Sequence, residues 1–175
     1  PRRNLLTPAE RTSLLAFPAT DDEFIQHYTF SESDLSVIRQ RRGSHNRLGF
    51  AVQLCYLRYP GFALPTDAEP PVSLLDIVGR QLRIEPDIWP QYAQRPETRR
   101  EHLLELQAWL KLTPFTVTDY RHFVHQLAEL AQQTDRGIVL AEALVELLRQ
   151  QRIILPTVDV IERVCSEALT RGTRL

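Results

Sequence analysis

A hydroxyl side chain stands three residues ahead of a carboxylate in Thr7-Pro8-Ala9-Glu10, Thr20-Asp21-Asp22-Glu23, Ser31-Glu32-Ser33-Asp34 and Thr98-Arg99-Arg100-Glu101. At that spacing the hydroxyl accepts from the third backbone N–H while the carboxylate reaches back, so each run opens a helix. Apolar residues between these starts recur with the 3.6-residue period, and two-residue alternation is nearly absent. The chain is therefore expected to be all-α.

Short helices are expected from Thr7 to Phe17 and from Thr20 to about Tyr28. A third is expected from Ser31 to about Arg42, closed by Gly43. Ser44 can cap a fourth helix whose buried face is Leu48, Ala51, Val52, Cys55 and Tyr59. From Pro60 to Pro71 there are four prolines, Gly61 and little periodicity, which reads as a Pro-rich linker over 61–71 between subdomains 1–60 and 72–175. Past it, Val72 to Leu82 is helical and Ile84 to Pro96 is punctuated by proline. The Thr98 helix buries Leu103, Leu106 and Leu110. A helix from Thr116 carries Val117, Tyr120, Val124, Leu127 and Ala131 on one face. Leu140, Leu144, Leu147 and Leu148 mark the next. The last starts at Pro156-Thr157 with Val158, Ile161, Cys165 and Ala168 inward. About nine helices result. Trp89 and Trp109 read as core.

At 43% hydrophobic and 25% charged, the 175 residues describe a globular protein with no membrane-spanning run. Cys55 and Cys165 stand 110 positions apart, which disfavours a disulfide framework or zinc knuckle and fits a reducing cytoplasm. Pro1, in a chain without methionine, reads as a trimmed amino terminus. The abrupt end at Arg174 and Leu175 reads as a piece of something longer.

The net charge of −1 excludes a protein that holds nucleic acid by bulk charge. The charge is unevenly spread, however. Leu35 to Pro60 holds five arginines (39, 41, 42, 47 and 58), one histidine and no acid. Of 21 basic residues only Lys111 is lysine, which a GC-rich coding sequence would explain as well as a need for arginine forks at phosphates and guanine edges.

Two basic segments stand out. Arg39-Gln40-Arg41-Arg42-Gly43-Ser44-His45-Asn46-Arg47 is a polar turn between two helices, the arrangement by which a recognition helix presents its first turn to a DNA groove. Arg41 and Arg42 close a helix, where positive charge complements the macrodipole without any ligand. Asn46 and Arg47 open one and lack that explanation. In Arg95-Pro96-Glu97-Thr98-Arg99-Arg100-Glu101-His102, with Thr98 as cap, Arg99 and Arg100 fall in the first turn, the wrong end for cations. A phosphate there would gain from both free N–H groups and guanidinium forks; two exposed arginines partnered by Glu97 and Glu101 are the plainer account. His122 and His125 with Glu129 lack the spacing of a zinc-protease motif and read as surface residues. Neither a glycine-rich phosphate loop nor a nucleophile motif is present.

Taken together, the chain resembles the amino-terminal region of the Tn-three family of transposases, the large replicative enzymes of class II bacterial transposons. The resemblance lies in Leu6-Thr7-Pro8-Ala9-Glu10-Arg11, in His27-Tyr28-Thr29-Phe30, in Ile38-Arg39-Gln40-Arg41-Arg42-Gly43 and in the run from Asn46 to Gly61, with Arg47-Leu48-Gly49-Phe50-Ala51-Val52-Gln53-Leu54-Cys55 at its centre. Tyr92 to Leu103 and Arg152-Ile153-Ile154-Leu155-Pro156 extend it across nearly all of the chain.

The resemblance implies tandem helix-turn-helix-like DNA-binding subdomains that recognise terminal inverted repeats. A catalytic Asp-Asp-Glu site and its divalent metals would lie downstream, leaving this segment with no catalytic residue and no cofactor. The expected partner is double-stranded DNA at a transposon end, with possible homo-oligomerisation through the rest of the transposase and a cytoplasmic, nucleoid-associated location. Arg39, Arg41, Arg42, Ser44, His45, Asn46, Arg47, Arg95, Thr98, Arg99 and Arg100 are the expected DNA-binding residues. A helical module for self-association or target immunity is the alternative.

Overall fold

The computed structural model describes residues 5–174, so the readings made at Pro1 and Leu175 lie outside the described residues. It is all-α. Among the described residues there are ten α-helices: α1 (Pro8–Leu14), α2 (Asp21–Tyr28), α3 (Glu32–Arg39), α4 (Ser44–Arg58), α5 (Val72–Leu82), α6 (Trp89–Ala93), α7 (Pro96–Leu110), α8 (Val117–Ala131), α9 (Gly137–Gln150) and α10 (Val158–Arg174). A 3-10 turn, Pro86–Ile88, leads into α6.

Local chemistry sets most of the boundaries. Thr7 with Glu10, and Ser31 with Asp34, form reciprocal caps, and the Thr20 hydroxyl accepts from the Glu23 N–H. Thr116 with Asp119 opens α8 in the same way. The Thr98 box does not form. Helix α7 starts three residues earlier, with Arg95 as N-cap and Pro96 in the first position, where proline's missing N–H costs nothing. Thr98 thus lies inside the first turn, and Arg99 and Arg100 fall just beyond it. Ser44 is likewise not a cap but the first residue of α4, behind Gly43. Gly43 has φ +85°, a conformation that glycine adopts without strain, and it ends the turn 40–43, because α3 already stops at Arg39.

Two compact units make up the chain. A split unit combines the residues up to Ala16 with those from Leu112 onward; a continuous unit runs from Phe17 to Lys111. Residues 61–71, read as a linker, therefore lie within the continuous unit. Phe62 packs edge-on against Tyr56 and Phe17, and Pro60, Gly61 and Pro70 are buried. In the split unit α8, α9 and α10 pack through Phe123, Leu127, Leu140, Leu144, Ile161 and Val164. Arg11 of α1 pairs there with Asp159 and Glu162 of α10, and the Glu162 carboxylate also accepts from the Leu5 N–H.

The continuous unit is built around α4. Ten successive residues, Leu48 to Leu57, are buried, so α4 is covered all round instead of on the single face expected. Helices α2, α3, α5, α6 and α7 pack against it. Tyr92 of α6 sits so close to Gly49 that a Cβ there would lie 2.2 Å from its ring. Trp89 is buried as expected. Trp109 is not: it stands 38% exposed near the end of α7, with Arg58 over its ring at 5.9 Å. Only one apolar stripe of α7 reaches the core, through Leu106, while Leu103 and Leu110 are half-buried.

Gly49→Ala should therefore be a severe change. Nothing but displacement of the Tyr92 ring can admit the methyl, and overpacking of a tight core typically costs about 1–3 kcal/mol. Urea denaturation followed by circular dichroism checks this. A clear fall in midpoint is expected, whereas Gly172→Ala in the split unit, where the nearest atoms stand at 3.0 Å, should be milder.

Candidate nucleic-acid interface

All eleven expected DNA-binding residues belong to the continuous unit. The two basic segments, read from sequence as belonging to separate subdomains, meet. Arg95 Nη1 lies 2.9 Å from His45 Nε2, a distance at which the guanidinium donates to the ring nitrogen. Arg41 pairs with Glu105 of α7 and stacks over the Phe50 ring at 4.6 Å. Helix α4 has no side-chain cap and no acid in its first turn. Its first N–H groups, which lack partners within any helix, thus open into a basic surround.

The structure sorts the expected residues by what their donors already do. Arg47 donates from Nε to the Arg41 carbonyl at 2.9 Å and from Nη2 to the Arg39 carbonyl at 3.3 Å, closing the turn behind α3. Asn46 donates to the Arg42 carbonyl at 2.8 Å. These two residues do have an internal task, because the carbonyls freed where α3 stops need donors. Arg99 is committed too, donating to the carbonyls of Pro65, Thr66 and Ala93 at 2.8, 2.9 and 3.2 Å. It fastens the proline-rich segment, a role the expected first-turn phosphate site did not include. Arg39, Arg42, Ser44 and Arg100 are exposed, and among the described residues their side chains have no polar partner. Thr98 is half-buried.

Two further arginines were not singled out from sequence. Arg80 and Arg83 close α5, both exposed, with Arg83 in the left-handed region at φ 57°. A cleft of about 530 Å³ is lined by Ile38, Arg39, Arg47, Gln81, Leu82, Arg83 and Ile84. A basic pair at the end of the periodic stretch 72–82 is the available signal, the same pattern as at Arg41 and Arg42. On the split unit, His122, His125 and Glu129 are exposed along α8.

Behind the surface a buried polar chain anchors α7 to α4. Gln53 donates to the Tyr92 hydroxyl at 2.6 Å and to the Arg99 carbonyl at 3.0 Å; the hydroxyl in turn donates to His102 Nδ1 at 2.8 Å. Burial keeps His102 neutral, pushing it down to about 4, with the carboxylate of Glu105 opposing and Arg41 and Arg95 reinforcing the shift. Asp34 is held below the usual carboxylate range: burial alone would raise it, but the two-pronged bond from Arg58 at 2.6 Å and the Ser31 contacts outweigh that.

The His102 shift has a definite sign. A depressed histidine binds fewer protons folded than unfolded, so its contribution is complete above about 6.5 and is lost as pH falls toward 4. Stability of the chain should drop across that window, and His102→Gln should flatten the drop. Denaturation midpoints at half-unit pH steps, for parent and variant, measure it.

Residues 5–168 match a family described as a domain of unknown function, DUF4158. The chain is 59% identical over 174 residues to the transposase for transposon Tn3926 of Escherichia coli, covering 99% of the chain and 18% of that protein. It is 54% identical to the transposase for transposon Tn501 of Pseudomonas aeruginosa and 55% identical to that for Tn21 of Escherichia coli, again over 99% of the chain and 18% of each relative. It thus spans under a fifth of the length of the relatives it matches. The chain belongs to the DUF4158 family, and over nearly all its length it is similar to part of the Tn-three family transposases.

Proposed function

We propose that this chain recognises the terminal inverted-repeat DNA of a transposon in a sequence-specific way, as the amino-terminal part of a transposase for replicative transposition. The observation that carries the reading is the convergence of two basic helix starts on one unit through His45 and Arg95, around a helix start that holds no acid. In this reading α3, the turn 40–43 and α4 act as one helix-turn-helix. Arg42, Ser44 and His45 face the base edges, Arg95 and Arg100 face phosphates, and Asn46, Arg47 and Arg99 hold the surface in shape. Phosphate contacts set the register and base contacts choose the sequence. Cutting and joining, with their divalent metals, belong to the rest of the transposase, as does oligomerisation. The near-neutral charge of the chain suits a local reading surface better than a general polyanion grip.

A second reading, a helical interaction module, is favoured by one observation: α7 exposes Leu104 at 59% and Trp109 at 38%. The two readings separate by salt dependence and sequence preference, which a protein-docking surface does not show toward DNA.

Binding titrations of the chain on a duplex carrying the Tn21 inverted repeat and on a scrambled duplex test the proposal. Preference for the matched duplex should be roughly 10³-fold at physiological salt. Arg100→Ala should weaken binding to both duplexes while leaving the fold unchanged. Arg99→Ala should instead lower stability by about 1–3 kcal/mol, because it leaves three carbonyls without a charged donor. Equal affinity of the parent for matched and scrambled DNA would overturn the proposal.

A further inference from the structure

The cleft between the α3–α4 turn and the end of α5 has no role in the contacts described so far. Three arginines line it from three separate segments: Arg39 from the end of α3, Arg47 from the start of α4 and Arg83 from just past α5. Gln81 is the other polar group lining it, and the remaining lining residues, Ile38, Leu82 and Ile84, are aliphatic. Arg47 is held there by backbone carbonyls, so its charge is built into the wall. Among the described residues the side chains of Arg39 and Arg83 have no polar partner and can turn to a ligand. Arg83 also borders a second hollow with Asp76, Arg80 and Glu85, but neither carboxylate pairs with it.

Helix-end electrostatics accounts for one arginine after α5. It does not account for three chain segments each delivering an arginine to one cleft. Arg83 occupies a left-handed position just past α5, as Lys111 does past α7, a position that glycine would fill without strain. Geometry relates the cleft to the α4 start. His45, which receives Arg95, and Arg47, which lines the cleft, are two residues apart on a helix and so point about 200° from one another. Arg95 and Arg83 thus stand on opposite flanks of the first turn of α4.

We infer that Arg39 and Arg83 form a second seat for a DNA backbone phosphate, across α4 from Arg95, so that the first turn of α4 is straddled by phosphate contacts. This rests on the DNA-binding reading above. The chemistry is that of a phosphodiester: guanidinium forks pair with its two free oxygens, and no lining carboxylate opposes it. A helix entering the major groove has a sugar–phosphate strand on either side, which two flanking arginine sets match.

Arg83→Gly isolates the charge from the fold, because glycine keeps the left-handed turn; Arg39→Gln is an independent second variant. Both are titrated on matched and scrambled duplexes from 0.1 to 1 M salt, with melting curves alongside. Each variant should stay folded, with Arg83→Gly melting at or above the parent temperature. Each should bind both duplexes about eightfold more weakly at 0.1 M salt, converge with the parent near 1 M, and show a salt slope smaller by about 0.9. The matched-to-scrambled ratio should not move. Parent-like affinity and slope in both folded variants would overturn the inference and leave the DNA-binding reading standing. A selective loss on the matched duplex would replace the phosphate seat with a base contact. A parent chain that binds neither duplex would remove the reading and the inference together.

Discussion

Tyr92 packed directly against Gly49 is the contact on which the continuous unit depends. With no side chain at position 49, α6 comes within ring contact of the α4 backbone, and the Tyr92 hydroxyl arrives where Gln53 and His102 can satisfy it. A buried hydroxyl, amide and imidazole would each cost free energy unpaired; together they form a closed chain that ties α4, α6 and α7. The same Gln53 amide holds the carbonyl of Arg99, whose side chain in turn fastens residues 65 and 66. One missing side chain thus positions the helix start that carries Arg95 and Arg100.

That arrangement separates the residues that shape the surface from those that it displays. Arg41, Asn46, Arg47 and Arg99 bind backbone carbonyls, a carboxylate or an aromatic face within the unit. Arg39, Arg42, Arg83 and Arg100 remain outside. A surface built this way loses little side-chain freedom when a ligand arrives, since three of these seven arginines are already held in place. It also keeps local positive charge in a chain whose net charge is −1.

Four helix starts were legible in the sequence because capping is local: Thr7, Thr20, Ser31 and Thr116 each find their partners within three residues. Thr98 shows the limit of that reasoning. The same pattern is present, but Arg95-Pro96 lies ahead of it and proline starts the helix first. The proline-rich stretch 60–71 looked like a linker because nothing local orders it. What orders it is Arg99, more than thirty residues on, together with the rings of Phe17 and Tyr56. The basic turn was found by composition, yet the internal duties of Asn46 and Arg47 were not, because they follow from where α3 stops. Arg83 was hidden for a similar reason: only the fold brings the end of α5 beside Arg39.

The central claim is that one face of the continuous unit, around the start of α4, meets DNA. Hydrogen–deuterium exchange of the chain, alone and saturated with a matched inverted-repeat duplex, tests it most directly. Slowed exchange concentrated in residues 39–47, 80–84 and 95–100 is the predicted result. Protection centred on α8–α10 at saturating duplex, with those three segments unchanged, would contradict it.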